Sequence, residues 1–155
     1  MPPASPLVRV QAARFDVGAE IDGLTRGRAD VGALVSFLGL CRDDEGALAA
    51  LEIEHYPGMA EAEIGRVGAQ ALGRWPLLGL LVIHRFGVIA PGEPIVLVAA
   101  LARHRGEAFA GAEFMMDYLK TSAPFWKKRR LSAGGDGGWV EAKAQDDAAA
   151  ARWEP

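Results

Sequence analysis

With 155 residues, half of them apolar and 24% charged, the chain suits one soluble domain with a real core. Its formal net charge of -3 argues against a broad nucleic-acid-binding face, so any anion site has to be local. Cys41 is the only cysteine, which excludes an internal disulfide and any Cys-x-x-Cys motif for zinc or redox work.

His55, His84 and His104 lie too far apart in sequence to place two ligands on one helix face, and no metal site is expected. "MPPASPLVRVQ" lacks the basic start and apolar stretch of a secretion signal. "WPLLGLLVI" and "PIVLVAALA" are about half the length that spans a bilayer. The expected location is cytoplasmic.

In chain order, "LVRVQAARF" (7–15) reads as a strand, and Asp16 can cap a short helix with Val17, Ile21 and Leu24 on one side and Gly27 at its end. "VGALVSFLGL" (31–40) reads as a buried strand. "ALEIEHY" (50–56) alternates, with Leu51, Ile53 and His55 on one face and Glu52, Glu54 and Tyr56 on the other. Pro57-Gly58 is a turn. From Met59 to Trp75 the period becomes helical, with Ile64, Val67, Ala71 and Trp75 as the apolar stripe and Pro76 as the stop.

"LLGLLVIHRFG" and "PIVLVAALA" then read as strands covered on both faces, separated by "VIAPGE". A helix follows from about Gly106 to Thr121, carried by Ala108, Ala112, Met115 and Leu119. After Pro124 the chain should be extended. "SAGGDGG" (132–138) reads as a mobile loop and "WVEAK" (139–143) as a short strand. The Ala-rich end reads as a terminal helix or a disordered tail. The sum is one α+β domain over residues 1–155, with 1–6 and about 146–155 as flexible ends.

Three stretches carry candidate chemistry. "FLGLCR" ends a strand on Arg42, which is either a solvated strand-end cation or a bidentate grip on phosphate or carboxylate. Cys41 before it reads as apolar filler rather than a nucleophile. In "ARHRGE" the cations Arg103, His104 and Arg105 gather at a helix N-terminus, which itself favours anions. They are chance surface charge or the mark of a negative partner. In "HRFG", His84 reads as a packed strand-end histidine.

"YLKTSAPFWKKRR" (118–130) holds five cations and no acid. On a helical wheel Lys120 borders the apolar stripe in line with Phe109 and Met116, where partial desolvation would suit an amine to act as base or nucleophile. The bland alternative is a snorkelling lysine paired with Asp117. Pro124 breaks the helix, so Lys127 is presented from an extended arm anchored by Trp126. Along that arm Lys127 and Arg129 should face one side, Lys128 and Arg130 the other.

Taken in order and with their spacing, "FLGLCR", "LEIEHYPGM", "RWPLLGLLVIHRFG", "PGE", "ARHRGEAF", "FMMDYLKTSAPFWKK" and "WVEAK" resemble the large, catalytic subunit of molybdopterin synthase, over nearly the whole chain. The resemblance implies an α/β hammerhead fold with an additional antiparallel sheet. It implies a homodimer of large subunits that becomes a heterotetramer with a small ubiquitin-like sulfur-carrier subunit, whose C-terminal Gly-Gly thiocarboxylate enters a pocket of the large one. Sulfur would pass twice to cyclic pyranopterin monophosphate, giving the dithiolene of molybdopterin in molybdenum cofactor biosynthesis. No cofactor would be permanently bound, and neither nucleic acid nor membrane would be a partner.

The same resemblance implies Lys120 and Lys127 as catalytic residues. It implies substrate contacts from Leu40, Cys41, Arg42, His104, Arg105, Lys128 and Arg129, with Phe37 and Met116 as apolar pocket positions. The chain departs from the family pattern at Cys41, where valine is usual, and at Ala102, where a hydroxyl residue is common. It also carries Lys128-Arg129-Arg130 where an acidic residue usually follows. A non-catalytic module that binds an acidic tail or nucleic acid through its basic strip is the competing expectation.

Overall fold

The computed structural model describes residues 4–140 and 143–154. In chain order its elements are β1 (Leu7–Gln11), α1 (Val17–Thr25), β2 (Ala33–Leu40), β3 (Leu48–His55), α2 (Met59–Arg74) and β4 (Leu77–Arg85). They continue as β5 (Gly87–Ile89), β6 (Pro94–Ala102), α3 (Arg105–Thr121), β7 (Phe125–Leu131), β8 (Asp136–Val140) and α4 (Ala144–Ala151). The strands form two four-stranded sheets, ordered β1-β4-β6-β2 and β5-β3-β7-β8. Among the described residues no helix is long and apolar enough to cross a membrane.

The first sheet holds the core. β6 is buried at every position because it lies between β4 and β2 and both of its faces are covered. Alternation divides its side chains. Val96, Val98, Ala100 and Ala102 join Leu80 and Val82 of β4 against Ile64 and Val67 of α2 and Ala112 and Met115 of α3. Leu97 and Ala99 face the other way with Leu81 and Ile83, closed off by Phe15, Val17 and Leu24. Each fully buried Leu or Ile here contributes about 1.5–3 kcal/mol relative to exposure.

The second sheet is antiparallel throughout. It is joined to the first where β4 runs through Arg85 and Phe86 into β5. Arg85 is buried, and its guanidinium is satisfied by the Ala12 and Pro94 carbonyls and by Glu93 at 3.1 Å. A buried cation without those partners would be strongly destabilising.

The structure differs from the sequence reading at four places. The first strand stops at Gln11 rather than at residue 15, because the chain turns to let Asp16 cap α1 by accepting from the Ala19 amide at 3.0 Å. β2 is an edge strand rather than a buried one, and leaves Phe37, Leu38 and Leu40 exposed. "VIAPGE" holds not only a turn but the end of a short strand, β5, paired with β3. The glycine-rich stretch 132–138 is mostly the tip of a hairpin: β8 begins at Asp136, whose carboxylate accepts from the Gly138 amide at 2.7 Å. Positions 141–142 of the expected strand, and 1–3 and 155 of the expected flexible ends, lie outside the described residues.

Two glycines separate steric need from mere tolerance. A Cβ on Gly32 would lie 2.1 Å from the Arg103 carbonyl oxygen, whereas one on Gly65, inside α2, would meet nothing within 4 Å. Gly65→Ala should therefore raise stability by about 0.5–1 kcal/mol by restricting the unfolded chain. Gly32→Ala should lower it, since backbone has to move. Urea denaturation of the two variants checks both signs; a stabilised Gly32→Ala would refute the close approach of β2 to the β6–α3 connection.

Candidate functional site

Pro124 makes the site. α3 ends in the turn where the Ser122 amide donates to the Tyr118 carbonyl, and proline then forces an extended backbone that pairs with β3 as β7. Lys120 in the last turn of α3 and Lys127 on β7 thereby line one small cavity, together with Phe37, Gly39, His84 and Met116. The cavity measures about 50 Å³ and has no carboxylate in its lining. Both lysines also line a broader groove of about 880 Å³, bordered by Leu40, Cys41, Arg42, Arg129 and Asp146.

The two amines differ. Lys120 is exposed, whereas Lys127 is half-buried. Burial, reinforced by the charge of Lys120 and partly opposed by Asp146, pushes the Lys127 pKa down to about 8. The desolvated lysine is thus Lys127 and not, as the wheel suggested, Lys120. Met116 does line the cavity beside Lys120, but Phe109 lies near the opposite end of α3 with its side chain exposed. The pairing of Lys120 with Asp117 is also absent: Asp117 accepts from Arg152 at 3.0 Å and from the Trp153 indole at 2.6 Å.

His84 completes the cavity wall. Its ring lies flat on Phe125, with centroids 3.8 Å apart and planes 11° from parallel. Nδ1 is 2.8 Å from the Arg85 carbonyl oxygen, which can only accept, so Nδ1 carries the proton and Nε2 is an acceptor. Burial above all, with the nearby charges of Lys127 and Lys120, pushes the His84 pKa down to about 3, so the ring is neutral at physiological pH. From the sequence alone His84 reads only as a packed residue. The available signal was its place two positions on from Val82, on the strand face that meets the helices.

The arm divides its charges as alternation predicts. Lys127 and Arg129 face the groove, whereas Lys128 pairs with Asp136 at 2.8 Å and Arg130 with Glu52 at 2.7 Å. Lys128, expected as a substrate contact, is already engaged elsewhere because its partner is a cross-strand residue that sequence proximity could not identify. Arg42 is exposed and lies 3.1 Å from Asp44. Cys41 is buried, with its thiol 3.8 Å from the Ile89 carbonyl oxygen and its pKa raised by burial. His104 and Arg105 are brought nowhere near the lysines within one chain: about 22 Å of helix axis separates Arg105 from Lys120. Among the described residues no cluster of His, Cys, Asp or Glu could hold a metal ion.

Residues 10–122 match the family model described as MoaE protein. A Mesorhizobium japonicum protein described as molybdopterin synthase catalytic subunit is 65% identical over 150 residues, covering 97% of this chain and 94% of its own length. The solved MoaE protein from Burkholderia ambifaria superposes with a TM-score of 0.81 at 47% identity, over 96% of this chain and 97% of its own. The crystal structure of molybdopterin synthase from Staphylococcus aureus gives 0.76 at 26% identity, over 85% of this chain and 95% of its own. The chain belongs to the MoaE family, the catalytic subunits of molybdopterin synthase.

Proposed function

We propose that in the lysine cavity the C-terminal thiocarboxylate sulfur of a small ubiquitin-like subunit bonds to a side-chain carbon of cyclic pyranopterin monophosphate, displacing an oxygen there, and that the acyl–sulfur bond then breaks with the acyl group passing to water or to the Lys120 amine, twice per molybdopterin formed. The observation that carries this reading is the meeting of Lys120 and Lys127, from opposite sides of Pro124, in one cavity without a carboxylate. Both reactants are anions, so such a cavity stabilises them and the charge that develops as the acyl–sulfur bond breaks. The sulfur comes from the partner, which fits a chain whose single thiol is buried and held protonated. The relatives' description as a subunit supports a partner, as do the exposed apolar side chains of Phe37, Leu38 and Leu40 beside the groove.

The two volumes divide the labour. The cavity of about 50 Å³ admits only an end group, such as the terminus of a Gly-Gly tail. The groove of about 880 Å³ is of the size that takes a fused-ring substrate. Lys120, exposed at their junction, is the amine placed to serve the acyl carbon in proton transfer or as an acyl acceptor. Lys127 and Arg129, on one face of β7, hold the pterin phosphate, with Arg42 across the groove. His104 and Arg105 join a pocket only if the second large subunit of the homodimer brings them there.

A charge-only module binding an acidic tail fits less well, because Lys128 and Arg130 are already neutralised within the chain. The two readings part at Lys120. Mixed with a thiocarboxylated small subunit and the pterin precursor, the wild-type chain should yield dithiolene product. Lys120→Ala should lose roughly 100-fold or more in rate, and Lys120→Arg should not restore it. Full activity in Lys120→Arg would mean that charge alone suffices and that the amine has no chemical role.

Lys127 sets a pH limit. Its ammonium is present below about 8 and lost above it, so anion holding, and with it activity, should fall as pH rises through that value. Lys127→Arg keeps a cation at every accessible pH and should move the fall to higher pH, at a lower plateau. An unchanged alkaline limb in that variant would show that another group sets it.

A further inference from the structure

His84 is used by the fold but not by the mechanism above, and its second ring nitrogen is unaccounted for. Nδ1–H is given to the Arg85 carbonyl, and Phe125 covers one face of the ring. Nε2 has no protein partner among the described residues, although His84 lines the cavity. Among the described residues the other lining side chains are apolar or cationic, so this is the one nitrogen or oxygen acceptor that a side chain offers in the cavity wall. On the groove side Asp146 offers the lysines a carboxylate, whereas within the small cavity the side-chain nitrogen placed to take an N–H is Nε2 of His84.

We propose that His84 is a positioning residue: its Nε2 accepts a hydrogen bond from one bridging water, which in turn accepts from the Lys127 ammonium and holds that amine toward the cavity. The inference rests on the reading of Lys127 as a working cation. The choice of lysine follows from the layout. Phe125, which stacks on His84, is two residues before Lys127 on the same strand face, so the ring and the amine sit on one side of β7. An acceptor that stays neutral suits the task, because a protonated imidazole would repel both lysines. The charged and titratable groups facing Lys127 are Lys120 from α3, Asp146 from α4, His84 from β4 and Arg129 from its own strand, with His55 of β3 close to His84.

The test uses two amide substitutions that each keep one half of the imidazole. His84→Asn can still donate at the Nδ1 position to the Arg85 carbonyl but offers nothing at Nε2. His84→Gln reaches the Nε2 position with an amide oxygen and gives up the Nδ1 bond. Both lose the stack on Phe125, so packing loss cancels between them, and thermal unfolding shows whether each is folded. The Lys127 side chain is titrated by NMR with selectively labelled lysine in the free full-length chain, assigned with Lys127→Arg.

Removing an acceptor from an ammonium destabilises the charged form. The Lys127 midpoint should therefore fall by about one pH unit in His84→Asn and stay near the wild-type value in His84→Gln. In the sulfur-transfer assay kcat should fall on the order of tenfold in His84→Asn, with partial retention in His84→Gln and KM for the small subunit unchanged in both. The opposite order, or equal shifts in the two variants, would reduce His84 to a packing residue. The titration reads on the free protein, so it stands or falls apart from whether the chain transfers sulfur at all.

Discussion

The flat contact of His84 with Phe125 fixes where the two sheets meet, and the lysine cavity depends on that junction. His84 ends the helix-facing row of β4 that begins with Leu80 and Val82, so it is anchored in the main core. Phe125 opens β7, directly across from His55 of β3, and His55 in turn lies 4.3 Å from Phe86 where β4 leaves the first sheet. Four rings thus tie the end of one sheet to the start of the other. Such contacts are worth about 0.5–1.5 kcal/mol each beyond their buried area. Their larger effect here is directional: the β7 face that stacks on His84 is the one that carries Lys127.

Charge is handled differently at each depth. The fully buried Arg85 is matched by a carboxylate and carbonyls, because an unmatched cation there would be costly. On the outer face of the second sheet Lys128 and Arg130 are matched by Asp136 and Glu52 in more solvated settings, where pairing contributes little to stability but removes net charge. At the cavity the half-buried Lys127 faces the exposed Lys120, and burial first, with that like charge second, lowers the pKa of Lys127. An anionic ligand removes that repulsion, so binding and the unfavourable arrangement are two sides of one constraint.

What could be read in the sequence was what depends on local rules. The end of α3, the break at Pro124, the division of the arm into two faces and the all-buried β6 follow from periodicity and from proline. What could not be read depends on distant partners. Asp117 lies one turn from Lys120, yet it is claimed by Arg152 and Trp153, which α4 returns across α3. The apolar run of β2 suggested burial, but an edge strand is covered on fewer sides, and composition does not distinguish the two. His84 was legible as packed but not as part of the site, because its neighbour in the cavity comes from a strand 43 positions later in the numbering.

The exposed end of β2 then takes its place in the site rather than standing as an imperfection of the core. Phe37 and Leu40 line the cavity with Lys120 and Lys127, and Gly39 between them approaches Val96 so closely that a Cβ there would be 2.7 Å from its methyl. A side chain at 39 would push this strand end off β6 and widen the cavity beside the lysines. Part of the lining is therefore apolar and set by the close approach of Gly39 to the Val96 side chain, while the lysines are brought to it by the break at Pro124. A cavity of about 50 Å³ with such a lining has little room for a bulky side chain and offers positive charge beside apolar surface. The occupant proposed above, a chain end of small residues finished by an anion, matches both properties.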